Sequence, residues 1–170
     1  MVALVVCSIG LLGLAKMESL ALASTSVAGT RSLVALEAES LAARMHANRG
    51  YWAGGFALAT TTLQGANGTL TLSNAALPIA TASCTTPGAN SCVPATMAAY
   101  DLAQFGNALT QVVPYYLTTI TCSTTGLPVT CTIQIQWSET AVAMNAQQTT
   151  NGGGDITSLA APTYTLFVQP

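Results

Sequence analysis

The segment Tyr115–Trp137, YYLTTITCSTTGLPVTCTIQIQW, carries two β-rich runs on either side of a turn signal at Thr124–Pro128. Joining Cys122 to Cys131 sets an antiparallel register in which Ile120 faces Ile133, Thr118 faces Ile135 and Tyr116 faces Trp137. Because side chains alternate between faces, all six fall on one face. Leu117, Thr119, Thr121, Thr132, Gln134 and Gln136 fall on the other, which is mostly polar and suited to water. Cysteine spacing and hydrophobic alternation therefore agree on one hairpin, and its apolar face needs a cover.

Working outward, PTYTLFVQP at Pro162–Pro170 alternates Tyr164, Leu166 and Val168 and predicts a last strand, reached through a Gly-rich turn at Asn151–Asp155. Upstream, Ala95–Val113 predicts a helix with Tyr100, Ala103, Phe105, Leu109 and Val112 partly periodic. Pro114 ends it, and Gly106 and Asn107 weaken its middle. Tyr51–Pro94 reads as an irregular connection in which TLTLSN at Thr69–Asn74 is the one short alternation. Within it, CTTPGANSC forms a small loop that Cys84 and Cys92 can close.

The cover comes from the N-terminus. Lys16–Asn48 contains no Pro and one Gly, and Leu20, Val27, Val34, Leu41 and Met45 form one stripe of an amphipathic helix, with Glu37 and Glu39 off it. Asn48, Arg49 and Gly50 make a plausible end, cationic charge lying at the negative pole of the dipole. Burying the sheet face is worth about 25 cal/mol per Å², and the Val34, Leu41 and Met45 stripe is the available partner for Ile120, Ile133, Ile135 and Trp137.

Before Lys16, MVALVVCSIGLLGLA carries no charge, and its apolar side chains Val2, Leu4, Val5, Val6, Ile9, Leu11, Leu12 and Leu14 form an anchor in continuity with the stripe. One helix of about 45 residues would run about 70 Å, longer than the rest of the chain can flank, so its first half must protrude. The organisation is thus an anchor at 1–15, an amphipathic half at 16–50 and a head at 51–170. The anchor is shorter than the roughly 20 apolar residues a span needs. A secretory leader would want a basic start, and the lipoprotein reading of LVVC fails because Val6 stands where a small residue belongs.

Charged residues make up 6% of the chain, and the four basic ones, Lys16, Arg31, Arg44 and Arg49, all lie in the first fifty positions. Beyond Gly50 only Asp101, Glu139 and Asp155 are charged, which argues against nucleic acid or an anionic ligand for the head. Of five cysteines, Cys7 sits in the anchor. The other four form two close pairs that suit disulfides in an oxidising compartment better than a metal, though four cysteines allow three pairings. His46 is the single histidine and no GxSxG turn accompanies it, so no catalytic triad is expected. The carboxylates are too dispersed for an acid–base pair, and Asp101 reads as a helix-surface charge or a hydrogen-bonded contact. Asn151–Asp155 lacks the Lys and the strand-to-helix context of a phosphate cradle. Asn67-Gly68-Thr69 fits a glycosylation triplet of low specificity, and Gly10 and Gly13 permit close helix packing as readily as they are simply tolerated. No enzyme activity, metal or cofactor is expected.

The runs VALVVCSIGLLGLA, LAARMHANRGYW, MAAYDLAQFGNAL and TIQIQWSE together resemble the PilV group of type IV pilus minor pilins, most specifically at SIGLLGLA and ARMHANR. The resemblance implies an α+β, pilin-like fold in which a long N-terminal helix waits in the bacterial inner membrane with the head in the periplasm. It later packs in a filament core, residues 1–15 making lateral helix contacts. The implied role is that of a minor pilin supporting pilus biogenesis, twitching motility and adhesion, with major and minor pilins, the assembly machinery and a tip adhesin as partners. The loops at Cys84–Cys92 and Asn151–Asp155 would meet those partners. Members of the group begin with a basic leader, a Gly and an early acidic residue that do not precede Met1, so Met1 is expected to be an internal methionine chosen as a start, or the chain to have been trimmed. The alternatives are a type II secretion pseudopilin and, in another class, a membrane-anchored periplasmic binding module or hydrolase.

Overall fold

Residues 2–57, 59–74, 77, 84, 92–123, 127–139 and 161–170 are described by the computed structural model, the side chains of Val2, Leu4, Val5 and Val6 excepted. The expected interior of the Cys84–Cys92 loop and the turn at Asn151–Asp155 lie outside the described residues, as does most of the turn at Thr124–Pro128.

A single helix, α1, runs over Val2–Ala47, about 70 Å at 1.5 Å per residue. It has no proline, and its one glycine after the anchor, Gly29, has no neighbour that a Cβ would meet. Its carboxyl end is stopped by Asn48, after which Arg49–Trp52 makes a short turn of helix, α2. Pro94–Val112 forms α3, with Pro94 in the first turn, where a missing N–H costs nothing. Its buried stripe is Ala98, Leu102, Phe105 and Leu109. That stripe is offset from the expected one. Tyr100, Ala103 and Val112 flank it half-buried, while the small Ala98 and Ala99 are fully buried.

Among the described residues five antiparallel strands, β1 (Thr60–Ala66), β2 (Thr69–Leu72), β3 (Tyr115–Cys122), β4 (Cys131–Trp137) and β5 (Thr163–Val168), form one sheet in the order β2-β1-β3-β4-β5. The β3–β4 register pairs Tyr116 with Trp137, Thr118 with Ile135, Ile120 with Ile133 and Cys122 with Cys131, as the alternation predicts. β5 joins β4 with Val168, Leu166 and Tyr164 opposite Cys131, Ile133 and Ile135.

The irregular connection expected over Tyr51–Pro94 must be corrected, because it contains the β1–β2 hairpin. Asn67 (φ 50°) and Gly68 (φ 78°) are the two central residues of its turn, and paired positive φ values are what a two-residue hairpin turn requires. The signal was the dipeptide Asn-Gly. The strand before it escaped the period-two pattern because its inward positions, Thr61, Leu63 and Gly65, include only one large apolar side chain.

The core lies between the inner sheet face and two helices rather than one. Val34, Ala38, Leu41 and Met45 of α1 are fully buried, together with Leu102, Phe105 and Leu109 of α3 and Leu63, Tyr116, Ile120, Ile133, Ile135 and Trp137 of the sheet. α1 packs on α3 and reaches β4 and β5, while α3 packs on β1 and β2. Tyr51 and Trp52, in edge-to-face contact with ring centroids 5.0 Å apart, close the far end of this core. A long helix packed on an antiparallel sheet with a disulfide is thus the architecture, α+β in class.

Candidate functional site

The first half of α1 is the feature that the rest of the fold leaves unsatisfied. Ile9, Leu11, Leu12, Leu14, Met17 and Leu22 are 63–73% exposed. At 100° per residue, Ile9, Leu11, Leu12 and Leu14 point to all sides of the helix, so no single partner surface would cover them. Leaving such a side chain in water rather than apolar surroundings costs about 1.5–3 kcal/mol each. Among the described residues α1 is the one helix long and apolar enough to cross a membrane, and none of its most apolar stretch is buried. Of the eight anchor side chains expected, Ile9, Leu11, Leu12 and Leu14 are exposed; those of Val2, Leu4, Val5 and Val6 lie outside the described residues.

Polar clamps hold the second half to the head. Arg31 Nε and the neighbouring NH2 group donate to the two carboxylate oxygens of Glu139 at 2.8 and 2.9 Å. Trp137 Nε1 donates to the same carboxylate at 3.2 Å. This fork holds the helix at the end of β4, and the bond to Glu139 raises the Arg31 pKa further. One turn before the helix ends, Arg44 sits 3.6 Å from Asp101 of α3. Burial raises the Asp101 pKa, and Arg44 partly offsets that rise. Asn48 Nδ2 then donates to the Pro94 carbonyl at 2.8 Å, joining the end of α1 to the start of α3. Asp101 is therefore a paired contact, and His46 is exposed on α1.

The seven expected helix-to-sheet core residues, Val34, Leu41, Met45, Ile120, Ile133, Ile135 and Trp137, come together in one cluster. Sequence reasoning passed over the centre of that cluster. The Tyr116 ring lies over Gly65, where a Cβ would collide with the ring carbons. Its hydroxyl donates to the Gly106 carbonyl at 2.8 Å. A Cβ on Gly106 would stand 2.9 Å from that hydroxyl. Gly106, which weakens α3 as an isolated helix, is thus the position that admits the tyrosine. Burial pushes the Tyr116 pKa up to about 12.

Cys122 and Cys131 are bonded across β3 and β4, closing the hairpin where the spacing places them. Cys84 and Cys92 are neighbours, the Cys84 side chain hydrogen-bonding with that of Cys92 and its pKa pushed up to about 11, first by that bond.

The outer sheet face is organised in cross-strand rows. Thr60, Thr121, Thr132 and Phe167 align in one, and Thr62, Thr119, Gln134 and Thr165 in the next. Two open depressions flank the loop after α2. One of about 510 Å³ is lined by Trp52, Gly54, Gly55, Cys122 and Leu127. The other, of about 380 Å³ and more apolar, is lined by Tyr51, Phe56, Leu77, Val93 and Pro94. Tyr51, its pKa raised by burial, is the one titratable side chain among the described walls of the second, so those walls offer packing and little chemistry.

Comparison with models of known protein families, with curated proteins and with solved structures finds no match to this chain.

Proposed function

We propose that this chain is a filament subunit, a minor pilin of the PilV type, that resides by α1 in the bacterial inner membrane and moves from it into a type IV pilus. The observation that carries the reading is the asymmetry of one unbroken helix. Its first half is apolar on all sides and exposed, and its second half is clamped to a folded head. A helix of that kind suits two surroundings, lipid and a bundle of similar helices, because both present apolar atoms all round. The exposed side chains Ile9, Leu11, Leu12 and Leu14 then make the lateral contacts, while the head faces outward and meets other pilins. Packing does the work; the proposal needs no catalytic group.

The test replaces Leu11 and Leu12 together by Ala in the native host. The anchor stays apolar and keeps its membrane residence, but large side chains that would interlock with neighbouring helices are gone. The expected result is a membrane-retained, folded protein, with surface filaments and twitching motility reduced as in a deletion of the gene. Normal filaments in the gene deletion would overturn the reading, and loss of protein secretion without loss of filaments would assign the chain to a secretion pseudopilus instead.

A further inference from the structure

We propose that the outer face of the sheet binds a neutral hexose polysaccharide, with the Phe167 ring as its stacking platform. Phe167 is 78% exposed on a strand whose inward positions, Tyr164, Leu166 and Val168, already serve the core, so the ring is left outside the core formed by the described residues. The register places it beside Thr132, with Thr165 two residues earlier on the same face beside Gln134. Thr121 and Thr119 extend these two rows onto β3.

None of the outward positions of β1, β3, β4 and β5 carries a charge. That excludes ligands held by charge: a phosphate backbone or an anionic headgroup needs Lys or Arg, and a cation needs carboxylates. Protein partners usually require a cluster of apolar or Arg anchors, and here Phe167 stands beside Thr132 and Thr165, with Leu117 and Tyr115 half-buried two and three cross-strand rows away. A neutral polysaccharide fits what remains. Threonine hydroxyls and glutamine amides donate and accept together, as sugar hydroxyls do, and an aromatic face packs on the C–H face of a pyranose. Threonine is stiff at χ1, and β3 and β4 are hydrogen-bonded on both sides while the edge strand β5 is held along its length by β4, so little freedom is lost on binding. The inference rests on strand register and charge and is independent of the filament reading.

The full chain, in a zwitterionic detergent without a sugar headgroup, is titrated by NMR with neutral hexaoses: β-1,4-glucan, α-1,4-glucan, β-1,4-mannan and β-1,4-linked N-acetylglucosamine. Oligogalacturonate serves as the acidic control. At least one neutral hexaose is expected to move the amide signals of β3, β4 and β5. Phe167→Ala should weaken that binding by about tenfold, and Gln134→Ala by about threefold. Phe167→Tyr should retain it, and Phe56→Ala, at an exposed ring elsewhere, should leave it unchanged. Absence of any neutral hexaose response at millimolar ligand would overturn the proposal, as would binding that survives Phe167→Ala or tighter binding of the acidic control.

Discussion

The two halves of α1 are covalently one helix and physically two objects. From Val34 to Met45 the side chains facing the head are fully buried, whereas Ile9, Leu11, Leu12 and Leu14, of similar hydrophobicity, are 63–72% exposed. The difference lies in the partners. The second half has one apolar stripe that matches one sheet face and one helix, while the first half has no polar side on which to rest against water. The same residue type therefore stabilises the fold at position 41 and at position 12 stabilises only whatever surrounds the helix.

Removing residues 2–15 should have the largest effect and the most one-sided. Membrane retention is expected to be lost entirely, with the melting temperature of the head unchanged, checked by fractionation and thermal scans of the truncated chain. An unfolded head would show that the two halves are not independent. Next, Leu41→Ala should cost the head about 2–5 kcal/mol in denaturant unfolding, against about 0.5 kcal/mol or less for Leu12→Ala. Equal losses would break the comparison outright.

Replacing Cys122 and Cys131 by Ser should cost about 2–3 kcal/mol, since the bond closes a loop nine residues apart in sequence. Asp101 supplies a pH test of the clamp. Its pKa is raised in the fold above the ordinary 3.8, so the native state holds that proton more tightly than the unfolded chain. The stability it contributes is then greatest below 3.8 and falls as pH rises through its folded pKa. The stability of the native chain relative to Asp101→Asn should decline across that window and level off above it, measured by unfolding at a series of pH values. Smallest of all, Arg31→Ala should cost about 1 kcal/mol or less, because the Arg31 side chain is 58% exposed and its pair with Glu139 is screened. The cost should shrink further in salt.

What could be read in advance follows from where the information sits. The hairpin of β3 and β4 was legible because two local signals, cysteine spacing and strict alternation, demand the same register. The stripe of α1 was legible because Leu41 and its neighbours recur at helical spacing. β1 was not, since it shows the core a threonine, a leucine and a glycine, and only the Asn67-Gly68 turn betrayed it. The salt links of Arg31 to Glu139 and Arg44 to Asp101 join residues far apart in the chain, and no local pattern announces such pairs.

The sequence alone determined the continuous helix, its unlike halves, the central hairpin and the weakly charged head, because each depends on periodicity or composition over a few turns. Tertiary structure alone decided that α3 shares the cover of the sheet with α1 and that Tyr116 threads between Gly65 and Gly106. It likewise left Phe167 exposed beside Thr132 and Thr165 on the outer face. The physical reason is one of range: helix and strand patterns are set by neighbours along the chain, whereas a close approach is set by which distant residues lack the atoms to prevent it.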